Sequence, residues 1–368
     1  MSKTHLVTGA TGFVGAALVL ELLRQTSDEV VALVRPSAEF DASERFRQAI
    51  VQAAELYEAV DLLAQLERCR VVAGDLFEQG CGVTSELPSE VDEVWHCAAS
   101  LQFENRHHEN IRATNVEGTR RVVALAERLG VERFNYISTA YVAGRATGLI
   151  REDRELVAET NNHYERSKID AEAIVAAAPC LVRIMRPSIV VGHSRTHAAT
   201  TFSGYYGFIR QIAQFRGMVE RTQKGLLERV PVQLRVDADA DANFVHVDTV
   251  AREAVAIAEH DRAGGVFHLT HPAPAKLGET IRTIFALLSI RDPIFVDDRS
   301  SFSWLDEQLD KRMDFYGSYI VGHKQFERTR TDASMPEPIA HAPVEAEPLG
   351  RWYLEVLAKA RANLPVAR

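Results

Sequence analysis

Tyr164-Glu165-Arg166-Ser167-Lys168 places a phenol and an amine four residues apart. On a helix the two side chains share one face, a turn from each other. A free phenol ionises near pH 10. A neighbouring cation favours the phenolate and lowers that value, so such a pair can move a proton to or from a reacting oxygen at neutral pH. The spacing is common, and a surface pair is the competing reading. Ser138-Thr139, 25 residues before Tyr164, gives it weight. These hydroxyls close the apolar stretch 134–138, which reads as a strand. A hydroxyl at a strand end can hydrogen-bond a carbonyl oxygen and polarise it. Thr139 is the first choice for that role and Ser138 the second. The chemistry implied is proton transfer to a carbonyl.

A carbonyl that gains a proton on oxygen needs a hydride on carbon, and the N-terminus points to its source. Thr8-Gly9-Ala10-Thr11-Gly12-Phe13-Val14-Gly15 lies between an apolar strand and a helix. Gly9 and Gly12 permit a tight turn and close backbone approach to a pyrophosphate, and Gly15 permits close helix–strand packing. The helix start then offers free N–H groups and a positive dipole end. The alternative is a glycine-rich turn without a ligand. The second strand ends Leu33-Val34-Arg35-Pro36, with arginine where NAD enzymes usually carry an acid. A guanidinium grips a ribose 2′-phosphate that a carboxylate would repel. NADPH is therefore expected over NADH, with Arg45 as a second contact; solvated surface arginines are the other reading. Asp75, in Gly74-Asp75-Leu76 after the third strand, stands where an adenine contact is expected, or where an aspartate merely forms a turn. Lys168 can also hold the nicotinamide ribose.

The elements that position these groups follow from hydrophobic pattern. Strands are expected at 5–8, 29–34, 70–73, 91–97, 134–138 and 180–191. Helices are expected at 13–24, 36–68, 110–129 and 164–177. This alternation predicts an α/β fold, a Rossmann-like doubly wound parallel sheet. Strands at 243–246 and 265–270 flank a helix at 250–259. Helices fill 197–235, where an aromatic run from Phe202 to Phe208 serves as core or as substrate wall, and also 278–330. Residues 331–348 carry four prolines and read as an irregular strap, and 351–362 as a closing helix. The expected domains are an NADP(H)-binding domain, 1–195, to which 240–275 returns, and a smaller, mainly helical lobe, 196–239 and 276–368, for substrate and the C-terminal helices.

Composition narrows the alternatives. A net charge of -9 argues against a nucleic-acid face. Cys69, Cys81, Cys97 and Cys180 are scattered without metal spacing and read as reduced thiols. His107-His108 reads as surface loop. The alternating acids 237–241 lack the glycine and distal glutamate of a calcium loop and read as a solvated turn. No apolar run is long enough for a membrane helix, and no signal-peptide pattern opens the chain, so a cytoplasmic protein is expected.

Seven motifs occur in order: the glycine turn, Gly74-Asp75-Leu76, His96-Cys-Ala-Ala99, Asn115-Val-Glu-Gly-Thr119, Ser138-Thr139-Ala140-Tyr141, Tyr164-x-x-x-Lys168 and Arg186-Pro187-Ser188. Together they resemble the extended short-chain dehydrogenases. The strand end at Arg35 with its helical insertion, the stretch Ile137–Gly144 and the stretch Asn161–Lys168 are most similar to the thioester reductase branch. That branch holds fatty acyl-CoA reductases and the terminal reductase domains of carboxylic acid reductases and peptide synthetases. The resemblance implies that Ala98 and Ala99 line the cofactor. It implies that Asn115 steadies the active-site helix region, and that Pro187 and Ser188 face the nicotinamide. It also implies NADPH-dependent reduction of an acyl thioester, on coenzyme A or on an acyl or peptidyl carrier protein, to an aldehyde and on to an alcohol if a second hydride follows. The oligomeric state stays open between monomer and homodimer. Other readings are an extended reductase or epimerase acting on a ketone, sterol or nucleotide sugar, and a non-catalytic NADP(H)-sensing protein.

Overall fold

The computed structural model describes residues 2–83, 87–101, 107–154, 159–313 and 323–362. The chain divides into two units. The first is Met1–Thr201 with Val245–Pro272 and Phe326–His341; the second is Phe202–Phe244 with Ala273–Gln325 and Ala342–Arg368.

The first unit is built on one parallel sheet. Its seven strands are β1 (Thr4–Thr8), β2 (Glu29–Val34), β3 (Cys69–Ala73), β4 (Glu93–His96), β5 (Arg133–Ile137), β6 (Leu181–Pro187) and β7 (Gly265–Leu269). Their order is β7-β6-β5-β4-β1-β2-β3, every neighbouring pair parallel. This is the Rossmann-like doubly wound sheet. Strand order reverses between β1 and β4, and ligand crevices of such sheets open at that reversal, beyond the strands' C-terminal ends.

Both faces are covered, so the strands read as near-continuous apolar runs. Helices α1 (Phe13–Gln25), α2 (Ala42–Leu56) and α5 (Val247–His260) bury Leu18, Leu22, Ile50 and Val250 on one face. Helices α3 (Thr119–Leu129) and α4 (His163–Ala176) close the other, around Val122, Phe134, Tyr136 and Val175.

Four expectations need correction. The helix expected over 36–68 begins only at Ala42, where the Asp41 carboxylate caps it by accepting from the Glu44 N–H at 2.8 Å, and 60–68 is a 3₁₀ segment. The helix expected over 110–129 is interrupted by a π turn, Ala113–Gly118. The strand expected over 180–191 breaks at Ser188; Ile189–Val191 leaves the main sheet and pairs with the strand ending at His246. The stretch 278–330 holds strands Ile294–Val296 and Lys324–Phe326 as well as helices, and 314–322 lie outside the described residues.

Residues Phe326–His341 belong to the first unit, not to the C-terminal lobe. Polar anchors explain this. The buried Glu152 carboxylate accepts from the Arg330 N–H at 2.6 Å, the Thr331 N–H at 3.2 Å and the His268 N–H at 2.8 Å. It thereby caps the short helix Thr329–Ala333 at the start of the expected irregular strap. Arg328 donates to Glu253 on α5 at 2.6 Å, and His341 Nε2 stands 2.8 Å from the same oxygen.

In the second unit, helix Ala346–Ala362 packs with helices Tyr205–Thr222 and Leu277–Leu287, and Tyr205–Thr222 packs also with Trp304–Met313. Strand Gln233–Arg235 pairs in parallel with Ile294–Val296. The aromatic run is core here: Phe202 and Tyr206 pack against Trp352 and Tyr353, and Tyr205 against Phe244. A cavity of about 20 Å³ lies among Phe208, Leu234, Phe285 and Leu309, room for a water molecule rather than an acyl chain. No helix among the described residues is long and apolar enough to cross a membrane.

Arg328→Met leaves Glu253, which has no solvent exposure, without its guanidinium partner. The expected loss of stability is about 3 kcal/mol, measured by urea unfolding; an unchanged midpoint would show that the anchor does not hold the strap.

Candidate active site

The glycine turn is tight for identifiable reasons. Gly9 sits at φ +73°, and a Cβ there would lie 2.5 Å from the Ala98 nitrogen. A Cβ on Gly15 would lie 2.1 Å from the Gly9 carbonyl oxygen. Only glycine therefore lets the turn, the start of α1 and the loop after β4 lie this close. Gly12 is the N-cap of α1, and no described side chain caps it, so the helix start presents its N–H groups beside Thr11, Phe13 and Val14. A pyrophosphate is the group this cradle fits.

Arg35 and Arg45 meet at the end of β2. Arg45 donates to the Arg35 carbonyl at 2.5 Å, and the Arg35 guanidinium, half exposed, lies 4.0 Å from the Asp75 carboxylate. Asp75 also accepts from the Phe77 N–H at 3.0 Å, a turn-forming bond. Thus two cations and one carboxylate share this corner. The Leu76 carbonyl accepts from Arg121 at 2.9 Å.

The Asn115–Thr119 motif resolves into separate contacts. Asn115, in the π turn, accepts from the Ser100 N–H at 2.7 Å and donates to Ser167 Oγ on α4 at 2.9 Å. It thereby ties the Ala98-Ala99-Ser100 loop to the helix of Tyr164. A Cβ on Gly118 would stand 3.4 Å from Leu76 Cβ, so a small residue lets this segment lie against the Gly74-Asp75-Leu76 turn. Thr119 Oγ1 stands 2.9 Å from His96 Nε2. π turns cluster at functional sites because the extra residue re-aims side chains, and here Asn115 is the residue re-aimed.

Helix α4 starts where the Asn162 side chain accepts from the Glu165 N–H at 2.9 Å and the Glu165 carboxylate accepts from the Asn161 N–H at 2.7 Å. This reciprocal capping sets Tyr164 in the first turn, buried. Helix α4 packs on the short turn Ala140–Ala143, whose N-cap is Thr139. Thr139 Oγ1 accepts from the Tyr141 N–H at 3.2 Å, which leaves its own proton to donate. The Ser138 hydroxyl instead donates to Glu172 at 2.5 Å, and Glu172 takes both arms of Arg186, at 2.9 and 2.7 Å. Ser138 is therefore bound into a buried ion pair, and Thr139 carries the hydroxyl available to a substrate. Pro187 ends β6, and the buried Ser188 hydroxyl beside it has no partner among the described residues.

One electrostatic expectation is reversed. Burial, with Glu165 adding to it, pushes the Tyr164 phenol above its ordinary value. The Lys168 ammonium, one turn along the same helix, donates to Tyr136 Oη at 3.1 Å and to the Ile137 carbonyl at 2.8 Å. Burial draws the Lys168 ammonium down to about 8, against the opposing pull of Glu172 and Cys97. Sequence reasoning missed Tyr136, Glu172 and Arg186. The signal for Glu172 was present: Tyr164, Lys168 and Glu172 fall at i, i+4 and i+8 on one helix face. His108 opens a short helix, and no group of three or more metal-binding side chains occurs among the described residues. All four cysteines are free.

The family model described as "Male sterility protein" matches residues 7–254. The chain belongs to this family. The chain is similar to the glycine betaine reductase of Emericella nidulans, 26% identical over 81% of this chain and 23% of that protein. Human fatty acyl-CoA reductase 2 is 26% identical over 73% of this chain and 58% of that protein. The chain thus spans less than two thirds of these curated relatives. The crystal structure of the terminal R domain from the myxalamid PKS-NRPS biosynthetic pathway is 26% identical, with a TM-score of 0.74 over 100% of this chain and 93% of that one.

Gly15→Ala forces the Gly9 carbonyl to move. It is expected to cost about 1–3 kcal/mol in thermal unfolding, and an unaltered melt would refute the close-approach reading.

Proposed function

We propose that this chain is an NADPH-dependent reductase that converts an acyl thioester, on coenzyme A or on a carrier protein, to an aldehyde. The observation that carries the reading is the buried Tyr164 and Lys168, one turn apart on α4, on a helix that packs against the Thr139 turn. Membership of a family whose relatives include fatty acyl-CoA reductases and a terminal reductase domain supports the thioester class. The pairing of Arg35 with Arg45 beside β2 supports a 2′-phosphate over a 2′-hydroxyl, since two guanidinium groups outnumber the single Asp75 carboxylate.

The glycine turn would hold NADPH, with Arg35 and Arg45 as the contacts for its 2′-phosphate, and the cofactor would supply a hydride when bound. Asp75 would contact the adenine, Ala98 and Ala99 would line the cofactor, and Pro187 and Ser188 would face the nicotinamide. Thr139 and Tyr164 donate hydrogen bonds to the substrate carbonyl oxygen and hold the charge that develops there. A phenol kept protonated by burial is the form that a proton donor requires, so Tyr164 gives its proton to that oxygen. The Lys168 ammonium would hold the cofactor's ribose and stabilise the phenolate left behind. Collapse of the tetrahedral adduct then breaks the carbon–sulfur bond and releases the thiol.

Thiol release and NADPH oxidation, followed together against palmitoyl-coenzyme A and an acylated carrier protein, test the reaction; cofactor oxidation on ketones without thiol release would overturn the thioester reading. Tyr164→Phe is expected to lower turnover by about 10²–10⁴-fold while leaving NADPH affinity nearly intact, measured by steady-state kinetics and fluorescence titration. Arg35→Asp is expected to raise the KM for NADPH about tenfold or more, near 1.4 kcal/mol, with little effect on NADH; equal changes for both cofactors would remove the phosphate contact.

A further inference from the structure

Thr139 can present its hydroxyl to a substrate only if the chain leading to it is held still. Strand β5 ends at Ile137 and the short turn starts at Ala140, so Ser138 and Thr139 lie between regular elements. Three bonds hold this exit from the sheet. The Lys168 ammonium donates to the Ile137 carbonyl at 2.8 Å. The Ser138 N–H donates to the Met185 carbonyl of β6 at 2.7 Å. The Ser138 hydroxyl donates to the Glu172 carboxylate at 2.5 Å. Two of these partners stand one turn apart on α4, on the face that also carries Tyr164. Helix α4 is thus tied by successive rungs to the chain just before Thr139.

The second rung ends on a fixed acceptor. Arg186, near the end of β6, donates its Nε to Glu172 Oε1 at 2.9 Å and its Nη2 to Oε2 at 2.7 Å. Such a two-armed grip sets the plane of a carboxylate and keeps it from turning. Ser138, Glu172 and Arg186 are all buried. A serine has one hydroxyl proton, and here it goes to a charged acceptor in a dry place. Thr139 follows directly, with extended backbone, and its Oγ1 accepts from the Tyr141 N–H.

We propose that Ser138 is a positioning residue for Thr139: Glu172, held by Arg186, binds the Ser138 hydroxyl and fixes where Thr139 leaves the sheet relative to Tyr164. The inference rests on Thr139 acting on the substrate carbonyl as described above. It extends that action to the Glu172–Arg186 ion pair, which reaches the reacting atoms only through Ser138.

Ser138→Ala removes this one rung. The Lys168 bond to Ile137, the Ser138 N–H bond and the Glu172–Arg186 pair all remain, so no buried charge loses its ionic partner. The first readout needs neither cofactor nor substrate. It is the pair of three-bond couplings from the Thr139 methyl carbon to the backbone nitrogen and carbonyl, in protein carrying ¹³C-labelled threonine. The signal is assigned by its loss in Thr139→Ala. Wild-type couplings are expected to report one staggered rotamer, and those of Ser138→Ala an average over several. Ser138→Cys, nearly isosteric and a weak donor, should fall between them, and it carries the test if the alanine variant does not fold. The second readout is kinetic, with palmitoyl-coenzyme A. Ser138→Ala should lower kcat by about 10–10²-fold and leave the KM for NADPH nearly unchanged. In a Thr139→Ala background the same substitution should lower kcat by less than about twofold, because Ser138 acts through Thr139. A hydroxyl with a merely structural role would lower the unfolding midpoint and move neither readout. Unchanged couplings overturn the proposal, and so do losses of kcat that multiply independently in the double variant. Full activity in Thr139→Ala would instead sink the catalytic reading on which the proposal rests.

Discussion

A positive charge buried where water cannot solvate it is the constraint from which the arrangement follows. An ammonium as enclosed as that of Lys168 survives only with acceptors supplied by the protein. They come from a strand carbonyl, a neighbouring phenol and, at longer range, a carboxylate that is itself neutralised by Arg186. Each requirement recruits another element: β5 for the carbonyl and the phenol, α4 for the lysine and glutamate, β6 for the arginine. The sheet order that sets β4, β5 and β6 side by side makes this possible. The Tyr164 phenol can be dry at the same place because the amine beside it is already provided for.

Much of the fold could be read from local pattern. The glycines, the valine-rich strands and the Tyr-x-x-x-Lys spacing each have a short-range cause, and strands such as 29–34 fall where apolar periodicity puts them. Asn162 and Glu165, three residues apart, announce the start of α4 in the sequence itself. The hydroxyl pair was legible as a pair, but the division of labour was not. Ser138 and Thr139 have the same chemistry in one dimension, and only the position of Glu172 on α4 separates them.

What escaped the sequence depends on distant partners. The π turn has no compositional mark; it exists because Asn115 must reach Ser100 and Ser167 together. The break at Ser188 does have a local mark, Pro187, which has no N–H to give a ladder, but reading 180–191 as one strand passed over it. The ionisation of Tyr164 was read from its neighbour on the helix, yet burial, which a sequence does not display, pushes the phenol above its ordinary value. Phe202 and the tyrosines after it seemed equally suited to core and to substrate wall; Trp352 and Tyr353, about 150 residues later, claim them for the core of the second unit.

The anchoring of Phe326–His341 bears on how the chain acquires its structure. Glu152 and Glu253 are synthesised long before Arg328, Arg330 and Thr331, the groups that satisfy them. During elongation at about 5–20 residues per second, both carboxylates wait many seconds for those partners. The nucleotide-binding half therefore cannot reach its final form as a nascent N-terminal piece. Its last contacts close only after most of the second unit has left the ribosome, so the two units must mature in an interleaved order rather than one after the other.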